Sequence, residues 1–251
     1  AVPMTLGQTF YGFASILRNE IKHLNEAAAD FLVVNMGSTA IGTGICSEPG
    51  YAEKTIEALK EITGWEVSLA DDWVGATSDT SCMVGYMSAL KRVAVKINKI
   101  CNDLRLLASG PRCGFGEINL PARQPGSSIM PGKVNPVIPE MTMQCAMRII
   151  ANDTTITMAA AHGEFELNAF LPLIADSLLE SLELAERAVT IFREKCVETI
   201  EPDVENCKKH LEQSYAFATA YTPKLGYETV AKIIKENPPE KAKEILMNSD
   251  L

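Results

Sequence analysis

Apolar residues recur at spacings of three and four along most of this 251-residue chain. Leu6, Phe10, Phe13, Leu17, Ile21, Leu24 and Ala28 make the first such stripe, the pattern that gathers apolar side chains on one face of an α-helix. Met87, Leu90, Ala94, Ile97, Cys101, Leu104 and Ala108 make a second, which runs into Gly110-Pro111, a strong helix stop. A third follows Pro136–Pro139 through Met141, Cys145 and Ile149 towards Ala160. A fourth runs through Leu167, Leu171, Ile174, Leu178, Leu182, Ala185, Val189 and Phe192. Glu53–Thr63 reads as a shorter helix closed by Gly64. Four helices of about 20–30 residues exceed the globular mean of about 11–12 and suit an elongated bundle packed side by side. The chain therefore reads as mainly α, and the stripes themselves speak for core rather than chemistry.

Three stretches punctuate this pattern: Asn35–Gly50, Gly110–Pro136 and Asn237–Pro239. Beyond about Glu201 the periodic segments become shorter and more charged, with breaks at Pro202, at Pro223-Lys224-Leu225-Gly226 and at Asn237-Pro238-Pro239. The predicted organisation is a central helical-bundle domain over residues 1–205 and a small helical C-terminal domain over residues 206–251. No internal repeat is evident.

Composition narrows the function. With 23 basic and 32 acidic residues the formal charge is −9, and no cluster of Lys and Arg offers a surface for nucleic acid. No apolar run approaches the roughly 20 residues that cross a bilayer, so no membrane role is expected. Seven scattered cysteines form no CxxC pair; buried, reduced thiols in a cytoplasmic protein are the expectation, rather than a disulfide framework or a zinc site. The chain opens at Ala1 on AVPMTLGQTF, without a methionine, and reads as the middle of a longer protein.

Three places carry candidate chemistry. Asn35-Met36-Gly37-Ser38-Thr39-Ala40-Ile41-Gly42-Thr43-Gly44 follows Phe31–Val34, which passes for a strand. It lacks the GxGxxG spacing, a Gly-Lys-Ser/Thr and any following parallel-strand pattern, so close backbone packing is favoured over nucleotide binding. His23, His162 and His210 have no metal-ligand spacing; they read as a solvated helix residue, a structural or capping residue, and a surface residue. The third place is Gly126-Ser127-Ser128-Ile129-Met130-Pro131-Gly132-Lys133-Val134-Asn135-Pro136. Asn135 is a candidate N-cap for the helix that follows, with Pro136 or Pro139 in its first turn. Such a loop can turn backbone N–H groups and the Lys133 cation toward an anion. Taken alone, these residues leave an anion site and an ordinary surface loop equally open.

The eleven residues GSSIMPGKVNP match the characteristic segment of the fumarase/aspartase superfamily at every position. AVPMTLGQTF, GSTAIGTG, GPRCGFGEINLP and GEFELNAF resemble that family's central-domain segments in the family's order, and TPKLGY resembles its short C-terminal domain. Essentially the whole chain is covered, and the family's N-terminal domain is expected ahead of Ala1. Val134-Asn135-Pro136-Val137-Ile138-Pro139-Glu140, together with Asn152–Ala159, is more similar to the aspartase branch than to class II fumarases. Gly163–Phe170 and Leu120-Pro121 fit fumarases equally well.

The resemblance implies aspartate ammonia-lyase activity: reversible anti elimination of ammonia from L-aspartate through an enediolate to fumarate. The alternative it leaves is a class II fumarate hydratase acting on fumarate and L-malate, with a structural or scaffold helical module as the non-enzyme reading. By the same carry-over Ser127 is the general base. Ser128 and the N–H groups around Ile129 and Met130 hold the enediolate, and Lys133 and Asn135 hold the other carboxylate. Glu140 is a possible orienting carboxylate. A dicarboxylate substrate needs no cofactor and no metal in this scheme. A homotetramer with active sites shared between subunits is implied, so residues 1–251 alone are expected to show little lyase activity. Gly126 and Gly132 are expected to let the loop move.

Overall fold

The computed structural model describes residues 2–249; Ala1 of the opening segment and the last two residues of the predicted C-terminal domain lie outside them. Four long helices stand where the apolar stripes predict them: α1 (Leu6–Ala28), α4 (Ser81–Leu107), α5 (Val137–Ala160) and α6 (Leu171–Lys195). Two shorter ones lie between the first pair, α2 (Tyr51–Thr63) and α3 (Trp73–Ser78). After α6 come α7 (Val204–Glu212), α8 (Thr222–Leu225), α9 (Tyr227–Glu236) and α10 (Pro239–Asn248). Gly64 closes α2 in the left-handed conformation, as its position in the sequence indicated. The segment read as a strand at Phe31–Val34 is a 3-10 turn followed by the two-residue β1 (Val33–Val34). β1 pairs in parallel with β2 (Ser68–Leu69), a pairing that local periodicity gave no sign of.

The chain divides into two compact units. One comprises Ala14–Asn102 and Val137–Val197; the other comprises Ala1–Phe13, Asp103–Pro136 and Glu198–Leu251. The first is built on Met87, Leu90 and Ala94 of α4, Ala146, Ile149, Ile156 and Ala159 of α5, and Ile174 and Leu178 of α6. On α4 and α6 these positions lie on the predicted stripes. On α5 the buried line runs through Thr142, Ala146, Ile149, Asp153 and Ile156, one step round from Met141 and Cys145, which stay half-buried.

Polar layers set the register of these helices. Asn152 on α5 donates to Ser181 Oγ at 3.0 Å and to Glu180 at 2.8 Å on α6, while its neighbour Asp153 accepts from Lys91 on α4 at 2.6 Å. Asn168, in the α5–α6 connection, is buried and donates to the carbonyls of Ala159 and Ala160, so the end of α5 is capped from the loop.

α1 departs from expectation. Its stripe is only half-buried, Ile21 is exposed, and the one residue it buries is Glu20. The cause is electrostatic: Glu20 Oε1 accepts from Arg92 at 3.0 Å and from Lys96, which ties α1 to the charged flank of α4.

Gly42 confirms close packing in the glycine-rich segment. At φ +83° it lies so near Trp73 and Val74 that an added Cβ would fall onto their backbone.

In the second unit, β3 (Ile118–Asn119) pairs antiparallel with β4 (Glu201–Pro202). Ala218, Val230 and Leu246 form a separate small core within the C-terminal helices. The histidines and cysteines refine the sequence reading. His23 bonds Glu26 on α1, and His162 Nδ1 lies 2.6 Å from the Met158 carbonyl. His210 is more than a surface residue, because Nδ1 lies 3.0 Å from Glu117 Oε1, far away in sequence. Of the seven free thiols only Cys101 and Cys196 are buried, while Cys46 and Cys113 are exposed. Exposure follows from their places in the Gly-rich connections rather than on helical core faces.

Candidate active site

The 126–136 loop is a self-bonded structure with a closed neck. At its start Gly126 runs so close to the Lys133 backbone that a Cβ on Gly126 would fall onto the Lys133 carbonyl. Only glycine permits that approach. Gly132 has φ +77° with open space around it, the conformation of a turn residue. Asn135 closes the same neck: Nδ2 donates to the Gly126 carbonyl at 2.8 Å. The following helix starts two residues later, at Val137. The side chain expected to cap that helix instead bonds back across the loop.

Within the neck, Ser127 Oγ accepts N–H bonds from Ile129 and Met130, each at 3.2 Å. Two donors aimed at one oxygen favour negative charge there, the arrangement that draws a hydroxyl toward its alkoxide. The Met130 carbonyl in turn accepts from the Lys133 amide at 3.3 Å, tightening the turn. Ser127 and Asn135 are half-buried, while Ser128, Ile129, Met130 and Lys133 are exposed. Among the described residues the Lys133 ammonium makes no ion pair, so its charge is uncommitted. The loop thus brings together a hydroxyl under two amides, a free cation and an amide clasp, all within eleven residues. Glu140 lies in the first turn of α5 in the other unit.

Sequence reasoning gave Ile129 and Met130 N–H groups to a bound enediolate; in the structure they donate to Ser127 Oγ. It also passed over the Gly126 carbonyl as the acceptor that Asn135 serves. Backbone acceptors leave no mark in a sequence; the one available signal was the glycine at position 126.

Comparison with known proteins supplies the relatives. Residues 1–151 match a family model described as Lyase. An aspartate ammonia-lyase from Pseudomonas aeruginosa is 50% identical over 236 residues, 94% of this chain and 50% of that protein. The corresponding protein of Escherichia coli K12 is 45% identical over 239 residues, 94% of this chain and 50% of its own length. The chain therefore spans about half the length of the curated relatives it matches. A crystal structure of a fumarate lyase:delta crystallin from Brucella melitensis bound to cobalt superposes with a TM-score of 0.93 at 49% identity, covering 100% of this chain and 55% of that one. A recombinant class II fumarase from Schistosoma mansoni gives a TM-score of 0.93 at 30% identity, covering 98% of this chain and 56% of that one. The family match takes in both the glycine-rich packing segment and the whole serine loop, and on it this chain belongs to the lyase family.

Proposed function

We propose that the full-length protein containing this chain is an aspartate ammonia-lyase that interconverts L-aspartate with fumarate and ammonia. The observation that carries the reading is the loop itself: a serine oxygen under two backbone amides, with an unpaired lysine in the same loop, in a chain 45–50% identical to aspartate ammonia-lyases along 94% of its length.

The chemistry follows from the substrate. The Cβ proton of aspartate is adjacent to a carboxylate, and its removal leaves an enediolate with about two negative charges on one small group. In this reading Ser127 acts as the alkoxide that the Ile129 and Met130 amides favour, and its Oγ takes that proton and becomes the neutral hydroxyl. The electron pair moves into the enediolate, then returns to form the Cα–Cβ double bond as the C–N bond breaks and ammonia leaves with its bonding pair. Preorganised donors toward developing charge are the largest catalytic contribution available. Ser128 and the N–H groups of Ile129 and Met130 are assigned to the enediolate. These two amides pass from Ser127 Oγ to the enediolate as Oγ takes up the proton and loses its charge. Lys133 supplies a charge-assisted bond to the other carboxylate, and the second N–H of the Asn135 amide supplies a neutral one. Glu140 remains a possible orienting carboxylate. The scheme routes no step through a cofactor or a metal.

The same proposal includes a homotetramer with shared active sites, supported by exposed apolar side chains on long helices, among them Ile21, Met147, Met158 and Leu179. It also includes the 206–251 C-terminal domain, supported by the separate Ala218–Val230–Leu246 core, and a cytoplasmic location. No helix of the described residues is long and apolar enough to cross a membrane.

The similarity to a class II fumarase keeps L-malate as the second reading. Mixing the full-length protein separately with L-aspartate and L-malate, and following fumarate absorbance, decides between them. Fumarate from L-aspartate alone is the expected result; fumarate from L-malate alone overturns the assignment in favour of a hydratase. A single-species monomer in analytical ultracentrifugation overturns the tetramer.

A further inference from the structure

We infer that Asn135 is a positioning residue for Ser127, and that the closed neck of the serine loop is the device through which it acts. The inference rests on the reading of Ser127 as the base. The Gly126 carbonyl that accepts the Asn135 amide at 2.8 Å belongs to the same peptide unit as the Ser127 nitrogen. Peptide planarity makes that unit one rigid plate, so a bond to its oxygen fixes the direction in which the chain enters Ser127. The Cα end of the plate is fixed by the approach of Gly126 to the Lys133 carbonyl, which excludes any side chain at residue 126. Beyond the plate, the two bonds from Ile129 and Met130 hold Ser127 Oγ itself. Every one of these restraints is local to residues 126–135, and among the described residues no long-range side chain hydrogen-bonds to Ser127 Oγ or to the Gly126 carbonyl.

The amide of Asn135 has two N–H groups, and the neck uses one. Clasping the plate with one and a substrate carboxylate with the other links the position of the base to the presence of its substrate. Misplacing a reacting group by about 1 Å costs on the order of 10²-fold in rate, which sets the scale of the effect. Opening the neck therefore lowers turnover through Ser127, without removing any group that touches the substrate.

Two variants of the full-length protein separate this from a pure binding role. Gly126→Ala opens the neck by collision with the Lys133 carbonyl and leaves the Asn135 side chain intact; Asn135→Ala removes the clasp. Hydrogen–deuterium exchange across residues 126–136 is expected to rise in both. In Gly126→Ala, kcat with L-aspartate is expected to fall about 10–100-fold, the range for loss of a supporting contact. The Kd of succinate, an unreactive dicarboxylate, stays within about twofold, because carboxylate donors are retained. Unchanged exchange in Asn135→Ala overturns the neck, even where Gly126→Ala does not fold. A Gly126→Ala protein with unchanged kcat, or one that loses succinate binding in step with kcat, overturns the positioning role. A parent protein inert toward L-aspartate overturns the activity reading instead, while the exchange arm still decides the neck.

Discussion

The side-chain amide of Asn152 on α5 lies 2.8 Å from a carboxylate oxygen of Glu180 on α6, and the same nitrogen reaches Ser181 Oγ at 3.0 Å. Asn152 is buried, and Arg148, one helical turn earlier, bonds the same carboxylate. Asn152 and Arg148 together hold the Glu180 carboxyl below its ordinary pKa. Truncating Asn152 leaves Ser181 Oγ without its donor, leaves the Glu180 carboxylate to Arg148 alone and opens a small void. Asn152→Ala is expected to cost about 2–3 kcal/mol. Urea unfolding checks this through a lowered midpoint at unchanged slope.

Glu20 makes the acid sensitivity of the first unit predictable. Burial pushes its carboxyl up, but the bonds from Lys96 and Arg92 outweigh burial and hold the pKa below the ordinary value. A pKa lower in the folded than in the unfolded chain stabilises the fold above the usual carboxylate range. That stabilisation is lost as pH falls through the depressed pKa. Glu20→Gln is expected to lower stability at neutral pH by about 2 kcal/mol, the range for bonds to a charged group. Because the variant has no carboxylate left to protonate, its further loss between neutral pH and about pH 3 is smaller than the parent's. Parallel acid-unfolding curves for the two proteins would remove Glu20 from this role.

Gly42 and Gly50 both have positive φ, at +83° and +78°, but only Gly42 is crowded. Gly50→Ala meets open space and is expected to cost about 1–2 kcal/mol, the penalty for a left-handed L-residue. Gly42→Ala adds a collision with the Trp73–Val74 backbone and is expected to cost at least a further 1–3 kcal/mol, as overpacking does. Thermal unfolding of the pair checks the order, and equal shifts would contradict the close packing.

Loss of the serine hydroxyl is expected to act on turnover. In the full-length protein, Ser127→Ala should lower kcat with L-aspartate by about 10²–10⁴-fold, the usual worth of a general base, while succinate still binds. A variant that keeps more than a tenth of the parent kcat would remove Ser127 from the base role. Lys133→Ala should weaken substrate binding about 10–100-fold, as loss of one bond to a charged group does. Steady-state kinetics on both variants separates the two effects.

What the sequence determined by itself was everything with a short repeat. The four long helices, the Gly64 stop and the buried face of α4 follow from apolar residues three and four apart, because helical geometry turns that spacing directly into a face. The buried line of α5, by contrast, includes Thr142 and Asp153 and lies beside the apolar stripe. Residues 126–136 stood out by their polar groups between glycines and prolines, but alone they fitted a surface loop equally well, and it was the resemblance of the whole segment to a family motif that made them a candidate site. Tertiary structure decided the rest. The single buried residue of α1 is a glutamate, because Arg92 and Lys96 come from a helix some 70 residues away. His210 became a partner of Glu117 by the same kind of long-range approach. In the loop, the order of residues named the groups but not their bonds. Ser127 accepting two amides and Asn135 clasping Gly126 depend on backbone dihedrals and on carbonyl oxygens, which every residue carries alike and which no side-chain pattern records.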